Sequence, residues 1–261
     1  MVGRVTSLLA TTRAAVFAAL LAALLAYYVW HDGLQDLPRD WDIVFLGLAL
    51  IPAVFALLLV ALPVRAWRGA LPAGIVAAAL AVVCELADLD IAGNFAKLAA
   101  AALIGFWFLG LFETLWWAVL VAFVVPVVDS YSVWRGPTRH IVEEREEIFT
   151  VFSIGFPVWG TEGSANLGIP DLLFFAVFLA ASDRWGLRLR LTWLAMALSF
   201  GTTLALAVWG DVDGLPALPL LCLGFLAPNA DILWRRWRER KGGRVGPWAG
   251  GSSGERSSSP E

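Results

Sequence analysis

The chain consists of long apolar runs separated by short polar connections. About eight of these runs are long enough to cross a hydrocarbon core of about 30 Å as helices rising ~1.5 Å per residue. The pattern predicts helices over residues 13–30, 41–62, 70–87, 92–112, 114–133, 166–183, 191–209 and 214–234. Residues 134–165 form a long polar connection, and residues 242–261, rich in Gly and Ser, predict a disordered tail.

Composition supports an all-α polytopic membrane protein that is embedded in a lipid bilayer. Of the 261 residues, 59% are hydrophobic and 16% are charged. This hydrophobic fraction is higher than a soluble protein needs to form its core. The net charge of −3 gives no reason to expect a nucleic-acid partner. Cys84, Cys222, His31 and His140 lack the spacing of metal ligands, so we expect no metal and no cofactor, and both cysteines are interpreted as core residues.

The distribution of positive charge predicts the orientation of the chain. Lys and Arg concentrate in one alternating set of connections, which includes the basic run from Arg235 to Lys241. Both termini are therefore expected in the cytoplasm, and the connection 134–165 outside, in a plasma membrane of prokaryotic type. The basic run could also bind anionic lipid, although the orientation rule alone accounts for it.

Three smaller features complete the pattern. Residues 148–159, IFTVFSIGFPVW, are rich in β-branched and aromatic residues, so they form either a short strand or an interfacial loop. Glu85, Asp88 and Asp90 cluster at a predicted helix end and are expected to form a solvated outer turn. Asp231 lies one helical turn before Arg235 and is expected to pair with it.

Two aspartates fall within predicted spans, one on each side of the long polar connection. Asp129 precedes the outer end of one helix and Asp171 follows the outer start of the next, so both lie at similar depth. A carboxylate at membrane depth costs several kcal/mol, which makes each a candidate functional residue. Facing carboxyl groups share a proton, and such a pair can activate water and protonate a carbonyl oxygen, as in peptide hydrolysis. The alternative is that each is a helix-end charge that reaches the interface.

Three motifs around these residues resemble a known family. They are VVDSYSV with Asp129, LGIPDLLFF with Gly168 and Asp171, and GLPALPLLC with Pro216, Ala217 and Leu218. In this order they are similar to the presenilin and signal peptide peptidase family of intramembrane aspartyl proteases, which carries an Asp late in its sixth helix, a GxGD motif opening the seventh and a PAL motif in the ninth. The stretch WRGPTRHIVEEREE after the first aspartate adds to the resemblance, which covers residues 92–234.

The resemblance implies a function and a division of the chain. Asp129 and Asp171 would be catalytic, and substrate contacts would come from Gly168, Pro170, Pro216, Ala217 and Leu218. Partners would be the transmembrane helices of other proteins or leftover signal peptides, and residues 148–159 and 216–218 would pair with an unwound substrate. Residues 1–91 would be N-terminal helices, 92–234 the catalytic core, and 235–261 a basic and then disordered tail.

Two positions depart from the family pattern, and two other functions stay open. The tyrosine that precedes the first family aspartate is Val128 here, and the second glycine of GxGD is Pro170. Proline stiffens a position where glycine allows close approach of a backbone. One alternative is therefore a catalytically inactive relative that binds membrane helices. The other is a proton-coupled transporter that uses the aspartates as a relay.

Overall fold

The fold is a bundle of helices with one small β-hairpin. A computed structural model describes residues 2–135, 152–161, 163–210 and 215–242. Its elements are α1 (Val2–Trp30), α2 (Arg39–Ala66), α3 (Ala70–Leu86), α4 (Asp90–Leu109), α5 (Leu115–Arg135), β1 (Ser153–Pro157), β2 (Ser164–Gly168), α6 (Ile169–Arg184), α7 (Leu189–Trp209), α8 (Leu218–Leu226) and α9 (Ala230–Gly242). Helix α2 contains a π-helical stretch at Leu46–Leu50 and ends in a 3-10 turn, and another 3-10 turn, Ala227–Asn229, joins α8 to α9.

The helical membrane class predicted from the sequence agrees with this architecture. Within the described ranges, 5 helices are long and apolar enough to cross a membrane, and they lie in α1, α2, α4, α5 and α7. The other three predicted spans are shorter: α3 has 17 residues, α6 has 16 and α8 has 9. The number of eight spans therefore stays a prediction.

Two of the predicted helices have wrong boundaries. The helix expected over residues 166–183 starts at Ile169, because residues 164–168 pair with β1 as a strand instead. The helix expected over residues 214–234 starts at Leu218 and continues, through the 3-10 turn, to Gly242. Pro219 lies in the first turn of α8, where its fixed φ and missing N–H are tolerated.

Helix α6 lies at the centre of the bundle. Every residue from Phe175 to Ser182 is fully buried, which is the pattern of a helix surrounded by protein on all sides. The Phe175 ring stacks on Phe55 of α2 at 4.0 Å between centroids, and the Phe178 ring stacks on Phe225 of α8 at 4.7 Å. Because protein encloses it, α6 functions as a core element at a length of about 24 Å.

The β-hairpin immediately precedes α6. Ser153–Pro157 and Ser164–Gly168 are antiparallel, with Gly155 opposite Asn166. The strand interpretation of residues 148–159 is thus confirmed at β1, while residues 148–151 lie outside the described part of the chain. Ile154 and Phe156 of β1 are buried in the main core, which fixes the hairpin to the bundle.

One edge of the hairpin is covered by side chains from α1 and α4. The Tyr27 hydroxyl donates to the Pro157 carbonyl at 2.8 Å, and the Tyr28 hydroxyl donates to the Gly155 carbonyl at 3.0 Å. The Gly155 N–H donates to Oδ1 of Asn94 at 3.0 Å. These three side chains satisfy the outward-facing polar groups of β1 as a neighbouring strand would.

The opposite edge, on β2, has no backbone partner in the described part of the chain. The Ile169 N–H bonds to the Phe152 carbonyl and the Val158 N–H to the Gly163 carbonyl, both at 3.0 Å. Because bonded and non-bonded pairs alternate in an antiparallel ladder, the N–H and C=O groups of Ser164, Asn166 and Gly168 point away from β1. Among the described residues, no backbone group pairs with this edge.

The expected pair of Asp231 and Arg235 is confirmed, and two further ion pairs were not predicted. The closest cation to Asp231 is Arg188, which binds both carboxylate oxygens at 2.9 and 2.8 Å, whereas Arg235 lies at 3.5 Å. The spacing of four residues along one helix predicted the contact with Arg235. Arg188 was not predicted because it lies at the start of α7, far from Asp231 in the sequence. Glu85 pairs with the buried Lys97 of α4 at 2.8 Å, so it is not a purely solvated residue.

Removal of the Asn94 side chain tests how firmly β1 is held. In Asn94→Ala the half-buried Gly155 N–H loses its acceptor, so we expect the free energy of unfolding to fall by about 1 kcal/mol. Amide hydrogen exchange at Gly155 should accelerate together with this loss. Ser164→Ala, which changes an exposed side chain on β2, is the control and should leave both measurements unchanged. Equal exchange rates at Gly155 in the two variants would contradict the contact.

Candidate active site

Asp129 is bound by the N-terminus of a different helix. It lies in the last third of α5, and its Oδ2 accepts a hydrogen bond from the Leu218 N–H at 3.2 Å. Leu218 is the first residue of α8, so its N–H has no partner within that helix. The carboxylate satisfies this donor and lies at the positive end of the helix dipole. Asp129 therefore joins α5 to α8.

Asp171 is bound by the N-terminus of its own helix. Gly168 is the N-cap of α6, and Asp171 follows in the first turn. The Asp171 carboxylate accepts the Gly168 N–H, as the acidic residue of a capping box does. A Cβ atom at position 168 would lie 3.1 Å from Oδ2 of Asp171, so glycine leaves room for this close approach.

The two aspartates, far apart in the sequence, come together in the fold. Helix α5 packs against both α6 and α8, and the Asp129 and Asp171 carboxyl groups are near enough to interact electrostatically. Each is half-buried and each is held by a backbone N–H at a helix start. The result is a pair of acids between two helix N-termini, which can in principle hold a water molecule and exchange its protons.

The remaining expected site residues surround this pair. Pro170 lies in the first turn of α6 with its ring exposed, where the absent N–H breaks no helical hydrogen bond. Ala217 is the N-cap of α8, and both Ala217 and Leu218 are buried, while Pro216 is half-buried just before them. Residues 216–218 thus form the helix start that presents the Leu218 N–H to Asp129.

Sequence reasoning missed Cys222, which was interpreted as an ordinary core residue. It lies on α8 one turn after Leu218, is buried, and interacts electrostatically with both Asp129 and Asp171. The signal was available, because residues four apart share a helix face. Its small side chain is buried in the core, as the sequence predicted, and lies near both acids.

Position 128, where the family has tyrosine, lies away from the acids. Val128 is 60% exposed and Tyr131 is 66% exposed, so both are on the outer surface of α5. In the described part of the chain, no three His, Cys, Asp or Glu side chains are grouped to hold a metal ion.

Comparison with known proteins adds no further constraint. Neither the family models, nor the curated proteins, nor the solved structures contain a match to this chain. The resemblance drawn from the three motifs therefore stays a prediction.

Replacement of Pro170 tests its role at the start of α6. Pro170→Gly should lower the free energy of unfolding by about 1 kcal/mol, because glycine increases the conformational entropy of the unfolded chain while the exposed proline makes no essential contact. Chemical denaturation in detergent measures the change, with Pro170→Ala as the intermediate control. A Pro170→Gly protein more stable than the parent would show that the proline strains this turn.

Proposed function

We propose that this protein is an intramembrane aspartyl protease that hydrolyses peptide bonds within the transmembrane segments of other proteins. The observation that carries the proposal is the convergence of Asp129 and Asp171, each bound by a backbone N–H at the start of a separate helix. The motif resemblance to presenilins and signal peptide peptidases supports the same activity. No cofactor is needed for this chemistry.

The reaction requires one carboxyl group ionised and the other protonated. The ionised group takes a proton from a bound water as the water oxygen forms a bond to the scissile carbonyl carbon, and the protonated group donates its proton to the carbonyl oxygen. The tetrahedral diol then loses a hydroxyl proton to one carboxylate as the C–N bond breaks, and the leaving nitrogen takes a proton from the other. The pair returns to its initial state with one proton.

The two helix starts explain how such acids are held in an apolar bundle. The Leu218 N–H fixes Oδ2 of Asp129, and the Gly168 N–H fixes the Asp171 carboxylate, so each group is oriented by one donor while its remaining lone pairs stay available. The dipoles of α8 and α6 stabilise the ionised member of the pair. Orientation by rigid backbone, and not by flexible side chains, favours precise placement of the water.

The open edge of β2 supports binding of an extended substrate. A transmembrane helix must unwind before its carbonyl groups can be attacked, and the unwound stretch then needs new hydrogen-bond partners. The outward N–H and C=O groups of Ser164 and Asn166 provide them in the β-addition mode, close to Asp171 in sequence. The sequence analysis instead expects residues 148–159 and 216–218 to pair with the substrate. In the structure, β1 is covered by Tyr27, Tyr28 and Asn94, and the Leu218 N–H is already bound by Asp129.

The proposed topology has eight spans, with α3, α6 and α8 completing the five longer helices. Positive charge after α8 supports an orientation with both termini in the cytoplasm and the β-hairpin on the outer side. This orientation resembles that of signal peptide peptidases and favours substrates of type II orientation, such as leftover signal peptides. The protein would reside in a prokaryotic plasma membrane.

A second candidate follows from the same contacts. Because each aspartate caps a helix, both could be retained for structure in an inactive relative that binds membrane helices without cutting them. Substitution by Asn separates the two candidates, since the amide oxygen still accepts the backbone N–H but the side chain no longer transfers protons.

The decisive experiment compares Asp129→Asn and Asp171→Asn with the parent protein in liposomes that contain a fluorogenic transmembrane peptide. Both variants should retain their thermal midpoint and lose cleavage by at least about 100-fold, the usual contribution of general acid–base catalysis. Asp183→Asn is the matched control on α6, because Asp183 pairs with Arg65 at the far end of that helix. It should leave the cleavage rate unchanged.

Other outcomes would reject the protease assignment. Full cleavage by either Asn variant would exclude proton transfer by that aspartate. A parent protein that binds the peptide without cutting it would be the non-catalytic relative. Proton flux across the liposomes that both Asn variants abolish, with no peptide cleavage, would identify a transporter.

A further inference from the structure

A cavity at the opposite end of the bundle contains a second set of polar groups. It has a volume of about 330 Å³ and is lined by Trp116 at the start of α5 and by Trp237, Arg240 and Lys241 of α9. The volume is in the range of sites for small ligands. Two cationic side chains and two indole rings from separate helices thus face a common space.

The α9 side of the cavity is organised by contacts between rings and cations. Trp237, Arg240 and Lys241 share one face of the helix because they are three and four residues apart. The Lys241 Nζ lies 3.8 Å from the Trp237 ring centroid, and the Trp237 ring stacks on Trp234 at 5.0 Å. These contacts fix Trp237 and keep the ammonium group beside the cavity.

The cavity has an excess of positive charge. Asp183 at the end of α6 and Asp231 at the start of α9 are already bound by Arg65 and Arg188. Within the described residues, no carboxylate lines the cavity or forms an ion pair with Arg240 or Lys241. The site therefore favours an anion.

Its position indicates the source of that anion. Trp116 begins the apolar helix α5, whereas α9 is basic and follows the last apolar helix, so the cavity lies at the boundary between apolar and charged surface. Indole rings and basic side chains together are typical of the membrane interface, where phospholipid head groups lie. Positive charge that served only to orient the chain in the membrane would need neither a cavity nor a residue from α5.

We propose that this cavity binds the phosphate head group of an anionic phospholipid from the leaflet on the side of α9. Arg240 and Lys241 bind the phosphate through charge-assisted hydrogen bonds, and the rings of Trp116 and Trp237 contact the glycerol and upper acyl region. The site lies at the other end of the bundle from Asp129 and Asp171. The proposal is independent of proteolysis.

The test measures binding of short-chain phosphatidylglycerol to the protein in neutral detergent, where no charged bilayer surface contributes. We expect saturable binding that Arg240→Gln/Lys241→Gln weakens by at least about tenfold, the loss of one charge-assisted hydrogen bond. The matched control, Arg68→Gln/Arg190→Gln, removes two exposed charges outside the cavity and should bind as the parent does. Trp116→Leu should weaken binding, while Trp117→Leu should not.

Several results would overturn the proposal. Equal weakening in the two double variants would indicate diffuse electrostatic attraction without a site. Equal binding of short-chain phosphatidylcholine would exclude recognition of net negative charge. Inorganic phosphate that displaces the lipid at the same concentration would make free phosphate the ligand, and the lipid assignment would be wrong.

Discussion

The structure depends on hydrogen bonds between carboxylates and the free N–H groups of helix starts. An acid in an apolar bundle needs donors that cannot move away, and the first turn of a helix supplies them without additional polar side chains. The Leu218 N–H binds Asp129, and the Gly168 N–H binds Asp171. Because α6 and α8 both start at this level of the bundle, the two acids meet there.

The central helix α6 fixes the position of the Asp171 carboxyl group within the bundle. It is buried on every side, packs against α4, α5, α7 and α8, and therefore defines where its own first turn lies. The hairpin that precedes α6 is held in turn by Tyr27, Tyr28 and Asn94. The N-terminal helices, expected as a separate region 1–91, thus contribute directly to the position of Asp171.

Local patterns in the sequence predicted much of this fold, and contacts between distant segments account for what they missed. Apolar periodicity located the long helices, and β-branched residues indicated the strand at β1. The start of α6 was placed three residues too early because the pairing of residues 166–168 with β1 is a long-range interaction that no local pattern reveals. Arg188 was missed for the same reason, since it meets Asp231 only when the start of α7 lies beside α9. Cys222, by contrast, could have been identified from its position four residues after Leu218 on one helix.

The direct continuation of β2 into α6 has a mechanical consequence. Gly168 is at once the last residue of the strand and the N-cap of the helix, so no flexible linker separates the open sheet edge from Asp171. A one-residue slip of β2 would reverse which of its faces meets the core, and Ala165 and Leu167, which pack against the core, oppose such a slip. A chain that paired with this edge would therefore be coupled directly to the position of the Asp171 carboxyl group.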